Sequence, residues 1–207
     1  MKKIIFITCL ILSIVSCKAQ TIIQSRQNFY TDTPDGGYYQ DVNFLLDPYV
    51  GTWVYTNGTT LLTIKLRKII NFYNGKFYSD LLVGEYQYIE NGVEKLNTLS
   101  QFNTDYPIQY DHNLFSSNLL NTNDKPNPCT SCNNSISRVT ITYSDDVKDI
   151  SGSFYIGLSA TSNLVAITYI SSTGIAYSGG DPSNFTTWTQ TNVGTTIPNG
   201  WYSFIKQ

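Results

Sequence analysis

The chain has 207 residues, 13 of them basic and 15 acidic, and only 14% are charged. That length suits one domain with a real core. The basic residues are scattered, so the sequence carries no nucleic-acid footprint. Tyr, Thr, Ser, Asn and Gly outweigh the helix formers Ala, Glu and Met, which points away from a helical fold and toward strands joined by turns.

The first sixteen residues read as a targeting segment. Lys2 and Lys3 precede an apolar run, Ile4 to Val15. It is too short to span a bilayer comfortably, which takes about 20 apolar residues. Ile14-Val15-Ser16-Cys17 resembles the bacterial lipobox. The resemblance implies that residues 1–16 are removed and that the Cys17 thiol carries the lipid. Cleavage after Ala19, at Cys17-Lys18-Ala19, is the alternative and would give a secreted soluble protein. Lys18-Ala19-Gln20 lacks the Asp that resembles an inner-membrane retention signal, and lacks an acidic run that would resemble a surface-export signal. The expectation is a lipid-anchored outer-membrane protein facing the periplasm.

Residues 17–45 form a lead from the anchor, partly a tether and partly packed on the domain. Thr33-Pro34-Asp35-Gly36-Gly37 is a turn signal. Tyr38 to Phe44 reads as a short extended piece or a helical turn. The domain, residues 46–207, opens with Leu46-Asp47-Pro48-Tyr49 and a strand over Gly51–Tyr55. Asn57-Gly58 is the first of three Asn-Gly reversals; the others are Asn74-Gly75 and Asn91-Gly92. They delimit strands over Thr59–Ile70, Phe77–Glu90 and Val93–Asn97. In the first of these Leu62, Ile64 and Leu66 alternate with Thr63, Lys65 and Arg67, the period of a half-buried strand. Sequential hairpins mean up-and-down topology.

Residues 99–135 are less regular. Short strands are predicted near Ile108–Tyr110 and Leu114–Leu119, and residues 121–134 read as a loop whose prolines Pro126 and Pro128 cannot donate to a ladder. The meander resumes over Arg138–Tyr143, turns at Asp145–Asp149, and continues over Ser153–Ser159 and Leu164–Ser171. A strand is expected at Ala176-Tyr177 or Thr186-Thr187-Trp188, a turn at Gly179-Gly180-Asp181-Pro182, and a closing strand over Trp201–Lys206. About eight to ten strands suit an all-β, up-and-down antiparallel barrel whose last strand pairs with its first.

Candidate chemistry is sparse. Cys129-Thr130-Ser131-Cys132 reads as a small-loop disulfide outside the cytoplasm; a redox pair or half a zinc site lacks the further elements those need. His112, the only histidine, reads as a solvent-exposed loop residue, with no nucleophile-elbow serine to serve. Asp145, Asp146 and Asp149 read as a solvated turn, and Glu85 and Glu90 fall on opposite faces of one strand. Tyr86 and Tyr88 share a face and are the candidate ligand contacts, with Tyr169, Tyr177, Trp188 and Tyr202 elsewhere; core packing is the competing role for such rings. No catalytic residues, metal or cofactor are expected, since catalysis needs converging titratable groups.

Gly51-Thr52-Trp53 resembles the lipocalin signature. Glycine there lets the chain into the barrel floor, and the indole of Trp53 plugs it. The resemblance also implies a basic residue of the closing strand packed on that ring, for which this sequence offers Lys206. More broadly, Val50-Gly51-Thr52-Trp53, Leu82 to Glu94, Asn97-Thr98-Leu99 and Ile197-Pro198-Asn199-Gly200-Trp201 resemble a family of small bacterial lipoproteins with a lipocalin-like barrel and no known activity. Such a protein is expected to be non-catalytic. It would bind a small apolar or glycan ligand or a protein partner, or else serve as a structural, accessory lipoprotein of an envelope complex with a filled barrel.

Overall fold

The computed structural model describes residues 22–24, 34–120, 128–172, 175–178, 189–192 and 194–207. Residues 1–16 (read as a targeting segment), Cys17, residues 121–127 and the turn and strand expected within 179–188 lie outside them.

The fold is all-β. Eight strands close into an antiparallel up-and-down barrel: β3 (Gly51–Asn57), β4 (Thr60–Tyr73), β5 (Tyr78–Glu90), β7 (Leu114–Leu120), β8 (Arg138–Asp145), β9 (Ile150–Leu158), β10 (Val165–Ser172) and β13 (Gly200–Lys206). Each pairs with the next in sequence. The ring closes where β13 meets β3, with Lys206 opposite Trp53 and Ile205 opposite Val54. Five further strands decorate it. β6 (Val93–Asn97) folds back on β5, β11 (Ile175–Ser178) and β12 (Thr189–Asn192) form a separate hairpin, and β1 (Ile22–Gln24) and β2 (Tyr38–Gln40) add in parallel beside the start of β5.

Alternation along each strand decides which face fills the barrel. Leu62, Ile64 and Leu66 of β4 point inward as the period predicts, opposite Tyr88, Tyr86 and Gly84 of β5. Val139, Ile141 and Tyr143 of β8 and Phe154, Ile156 and Leu158 of β9 complete the far wall. In an eight-stranded barrel the interior is just wide enough for side chains to fill it or for one small ligand.

The three Asn-Gly pairs make three different turns. Asn91 and Gly92 take φ of 52° and 78° between the paired residues Glu90 and Val93, the expected two-residue loop. At the first hairpin Asn57 is still paired, to Thr60, so the loop is Gly58-Thr59. At the second, Tyr73 pairs with Tyr78 and four residues make the loop. Strand β4 also runs three residues past the predicted end at Ile70, through an irregularity between Ile69 and Phe72 where Asn71 takes a φ of 58°. The β4–β5 hairpin therefore extends beyond the barrel floor. Gln109 and Tyr110, predicted within a short strand near Ile108–Tyr110, belong instead to a 3-10 turn over residues 109–111.

Candidate functional site: plugged barrel and buried ion relay

The floor is built from the segment before β3. Residues 47–49 form a 3-10 turn that drops Tyr49 under the barrel. Its carbonyl accepts the indole N–H of Trp53 at 2.8 Å, and its hydroxyl donates to the Ser137 carbonyl across the floor at 2.5 Å. Trp53 is 1% exposed. The Nζ of Lys206 lies 5.1 Å from the indole centroid and donates to the Pro48 carbonyl at 3.2 Å. The lysine stem explains the glycine. Gly51 has a φ of +132°, and a Cβ there would sit 2.8 Å from Lys206 Cε.

Above the floor the interior is occupied by rings. Tyr143 and Phe154 stack with centroids 4.6 Å apart, and Tyr86 meets both edge-on at 5.9 and 6.5 Å. Tyr86 and Tyr88 both face inward and both are buried. The Tyr86 hydroxyl donates to the Ser144 carbonyl at 2.7 Å, and the Tyr143 hydroxyl to Thr195 Oγ1 at 2.6 Å. Burial holds the Tyr86 and Tyr49 hydroxyls well above the ordinary tyrosine range and pushes Tyr143 up to about 12. At the end opposite Trp53, Tyr55 and Tyr202 pack edge-on at 4.8 Å, and residues 194–199 close over the rings with Ile197 buried.

That closing segment is held by Asp145, which corrects its reading as part of a solvated turn. Asp145 is buried. Its carboxylate accepts the backbone N–H groups of Val147 and Lys148, the backbone N–H of Thr196 and the Thr196 hydroxyl. The neighbouring Asp146, Val147, Lys148 and Asp149 are exposed.

His112 corrects the sequence reading most. It is not a solvent-exposed loop residue but 1% exposed, against the outer face of the barrel wall. Thr98 prolongs the pairing along β5 through hydrogen bonds with the backbone of Tyr86, and β7 pairs with Val83 and Gly84. The chain between, residues 98–113, covers the outward face of Glu85. There His112 Nδ1 lies 2.8 Å from Glu85 Oε1, and the guanidinium of Arg67 lies 3.1 Å from His112 Nε2 and donates to the Thr104 carbonyl at 3.0 Å. A guanidinium can only donate, so Nε2 accepts and Nδ1–H donates to the carboxylate; the imidazole is neutral. The Tyr106 ring meets it edge-on at 4.8 Å. Both ring nitrogens are thus committed. A nucleophile's proton would need the Nε2 lone pair that the arginine occupies. The arrangement suits an ion pair insulated by a neutral ring, holding residues 98–113 to the wall.

Cys129 and Cys132 are disulfide-bonded, Cα to Cα 5.4 Å. They lie against β9, where Asn133 N–H donates to the Leu158 carbonyl at 2.8 Å and a Cβ on Gly157 would come within 2.5 Å of Cys132 Sγ.

A family model described as "Family of unknown function (DUF6705)" matches residues 1–207. The chain belongs to this family. No curated protein and no solved structure matches it. Membership brings no activity with it, so function rests on the geometry. Of the residues singled out from the sequence, Gly51, Trp53, Tyr86 and Tyr88 meet inside the barrel, and the two cysteines lie outside it. Glu85, Arg67 and His112 escaped notice as a set. Their one sequence signal was an acid within the buried-looking run Leu81 to Tyr86, on a strand that had to pair with Lys65 and Arg67.

Proposed function

We propose that the protein is a non-catalytic, lipid-anchored envelope protein whose barrel is a filled scaffold presenting its surface to another envelope protein. The observation that carries this reading is the occupied interior: Tyr49, Trp53, Tyr86, Tyr143, Phe154 and Phe204 are all fully buried within one core cluster. An interior already packed with its own rings offers a ligand no apolar surface to cover. The committed nitrogens of His112 support the absence of catalysis. The Gly51–Trp53–Lys206 arrangement supports a lipocalin-like floor, and the lipobox resemblance at Cys17 supports the anchor.

A second reading is favoured by one residue. Thr168 of β10 is fully buried on the inner face opposite Tyr202, and its hydroxyl has no hydrogen-bond partner among the described residues. A small ligand seated beside Tyr55, Tyr88 and Tyr202 would supply one. Native mass spectrometry of the delipidated protein purified from its own cells separates the two. The filled scaffold predicts a bare mass. A stoichiometric adduct, lost in Thr168→Val, would replace that reading with the second.

A further inference from the structure

We infer that the floor end of the barrel lies against the lipid bilayer, with the β4–β5 hairpin and residues 42–44 as the contacting surface. The inference rests on the proposed lipid at Cys17. The polarity of the added strands carries it. β5 runs from the hairpin tip at residues 74–77 toward the barrel body. β2 is parallel to β5, with Tyr38 opposite Tyr78, and β1 is parallel to β2, with Ile22 opposite Tyr38. Gly36 N–H donates to the Lys76 carbonyl at 2.8 Å, which fixes this end of β2 at the tip. The chain therefore enters β1 from the tip side. Cys17 precedes Ile22 by five residues, which reach at most about 18 Å when extended. A lipid on Cys17 would hold the bilayer within that distance of the hairpin end and far from the closed end above Tyr202.

The surface found there suits an interface. Ile70 and Phe44 are 69% and 66% exposed, the two highest values among the large apolar side chains of the described residues, and Val42 and Tyr73 are exposed beside them in sequence. The Phe44 ring lies 5.6 Å from Lys68 Nζ, which places residues 42–44 against β4 two positions before Ile70. Lys76 is exposed at the tip. Apolar and tyrosine side chains with a lysine at the margin are what the headgroup boundary takes, and an acyl chain with a second contact fixes orientation where a chain alone would let the domain swing.

The test is the depth of a fluorophore. The full mature chain, with its lipid, is prepared as Ile70→Cys and as Val93→Cys, each labelled at the new thiol and reconstituted in vesicles of phosphatidylethanolamine with a minority of phosphatidylglycerol. Val93 is exposed at the β5–β6 turn, at the opposite end of the barrel. Headgroup-bound nitroxides should quench the label at 70 severalfold more than the label at 93, and only the former should shift to the blue. Equal quenching at both sites, or the reverse order, overturns the inference. So does a label at 70 that is shielded in whole-cell membranes but not in protein-free vesicles, since a protein then covers the surface. The mass of the mature N-terminal peptide is read in parallel. A peptide without lipid on Cys17 removes the anchor and this inference with it, whereas a lipidated peptide with an unquenched label at 70 refutes the contact alone.

Discussion

The two faces of the barrel wall at β4 and β5 bury side chains by opposite chemistry. The inner face carries Leu62, Ile64, Leu66, Tyr86 and Tyr88, and the Tyr86 hydroxyl is satisfied by a backbone carbonyl. The outer face, one residue out of phase, carries half-buried Lys65 and Arg67 and fully buried Glu85, with His112 laid against Glu85 and Arg67. Burial inside is driven by area and is non-directional. Burial outside depends on Glu85 keeping its partners, because a buried ion stripped of its counter-ion costs more than the pair contributes. The inside should therefore tolerate changes that conserve volume, and Glu85 and His112 on the outside should tolerate no change that removes a partner.

The most complete way to break the inner face is alkali. Burial raises the folded-state pKa of Tyr49, Tyr86 and Tyr143 above the unfolded value. A raised pKa favours the protonated form in the fold, so its stabilisation is fully present below the unfolded pKa of about 10 and is lost as pH rises through the folded value. Tyrosinate absorbance should rise in two phases. Surface tyrosines should titrate first, and the inner ones only together with the collapse of the near-ultraviolet circular dichroism. A single phase near pH 10 with the dichroism intact would mean the interior is wet. Next in size is Trp53→Ala, which should cost about 3–5 kcal/mol in urea denaturation because the floor cannot close over so large a cavity. A loss under about 1 kcal/mol would show that Trp53 plugs nothing. On the outer face, Glu85→Ala should cost about 3 kcal/mol, and the double variant with His112→Ala should cost less than the two singles combined. Strict additivity would dissolve the relay into independent contacts.

The inner face was legible in the sequence and the outer face was not, for physical reasons. Inward positions follow from a period of two, and Leu62, Ile64 and Leu66 declare it without reference to anything distant. The packing of Lys206 on Trp53 is legible only through the lipocalin resemblance, which implies a basic residue of the closing strand on that ring. Alternation sends Glu85 outward, and outward ordinarily means solvent. It is buried only because residues 98–113 lie across it, and that segment has no period of its own. His112 reads as a solvent-exposed loop residue for the same reason: its neighbours Asp111 and Asn113 look like a loop, and the carboxylate that holds it is 27 residues away. Asp145 sits among charged turn residues yet serves Thr196, 51 positions later. Three Asn-Gly pairs marked the first three reversals, but the turn each one makes depends on strand register, which a dipeptide does not contain.

Lys206 gives the finest test, because it joins the two kinds of burial in one side chain. Its stem lies against Gly51, where a Cβ would meet Cε at 2.8 Å, and its ammonium faces the indole and the Pro48 carbonyl. Lys206→Met keeps most of the stem and removes the charge. It should cost about 1 kcal/mol, the size of a partly desolvated cation–π contact with a single hydrogen bond lost. Gly51→Ala carries two separable penalties: a φ of +132° that side chains avoid, and the clash with the lysine stem. Made in a Lys206→Ala background, Gly51→Ala should lose the second penalty and keep the first, so its cost there should be smaller than in the native chain but above zero. Equal costs in the two backgrounds would mean that glycine is needed for the backbone alone and that the fit of lysine to glycine has no part in closing the floor.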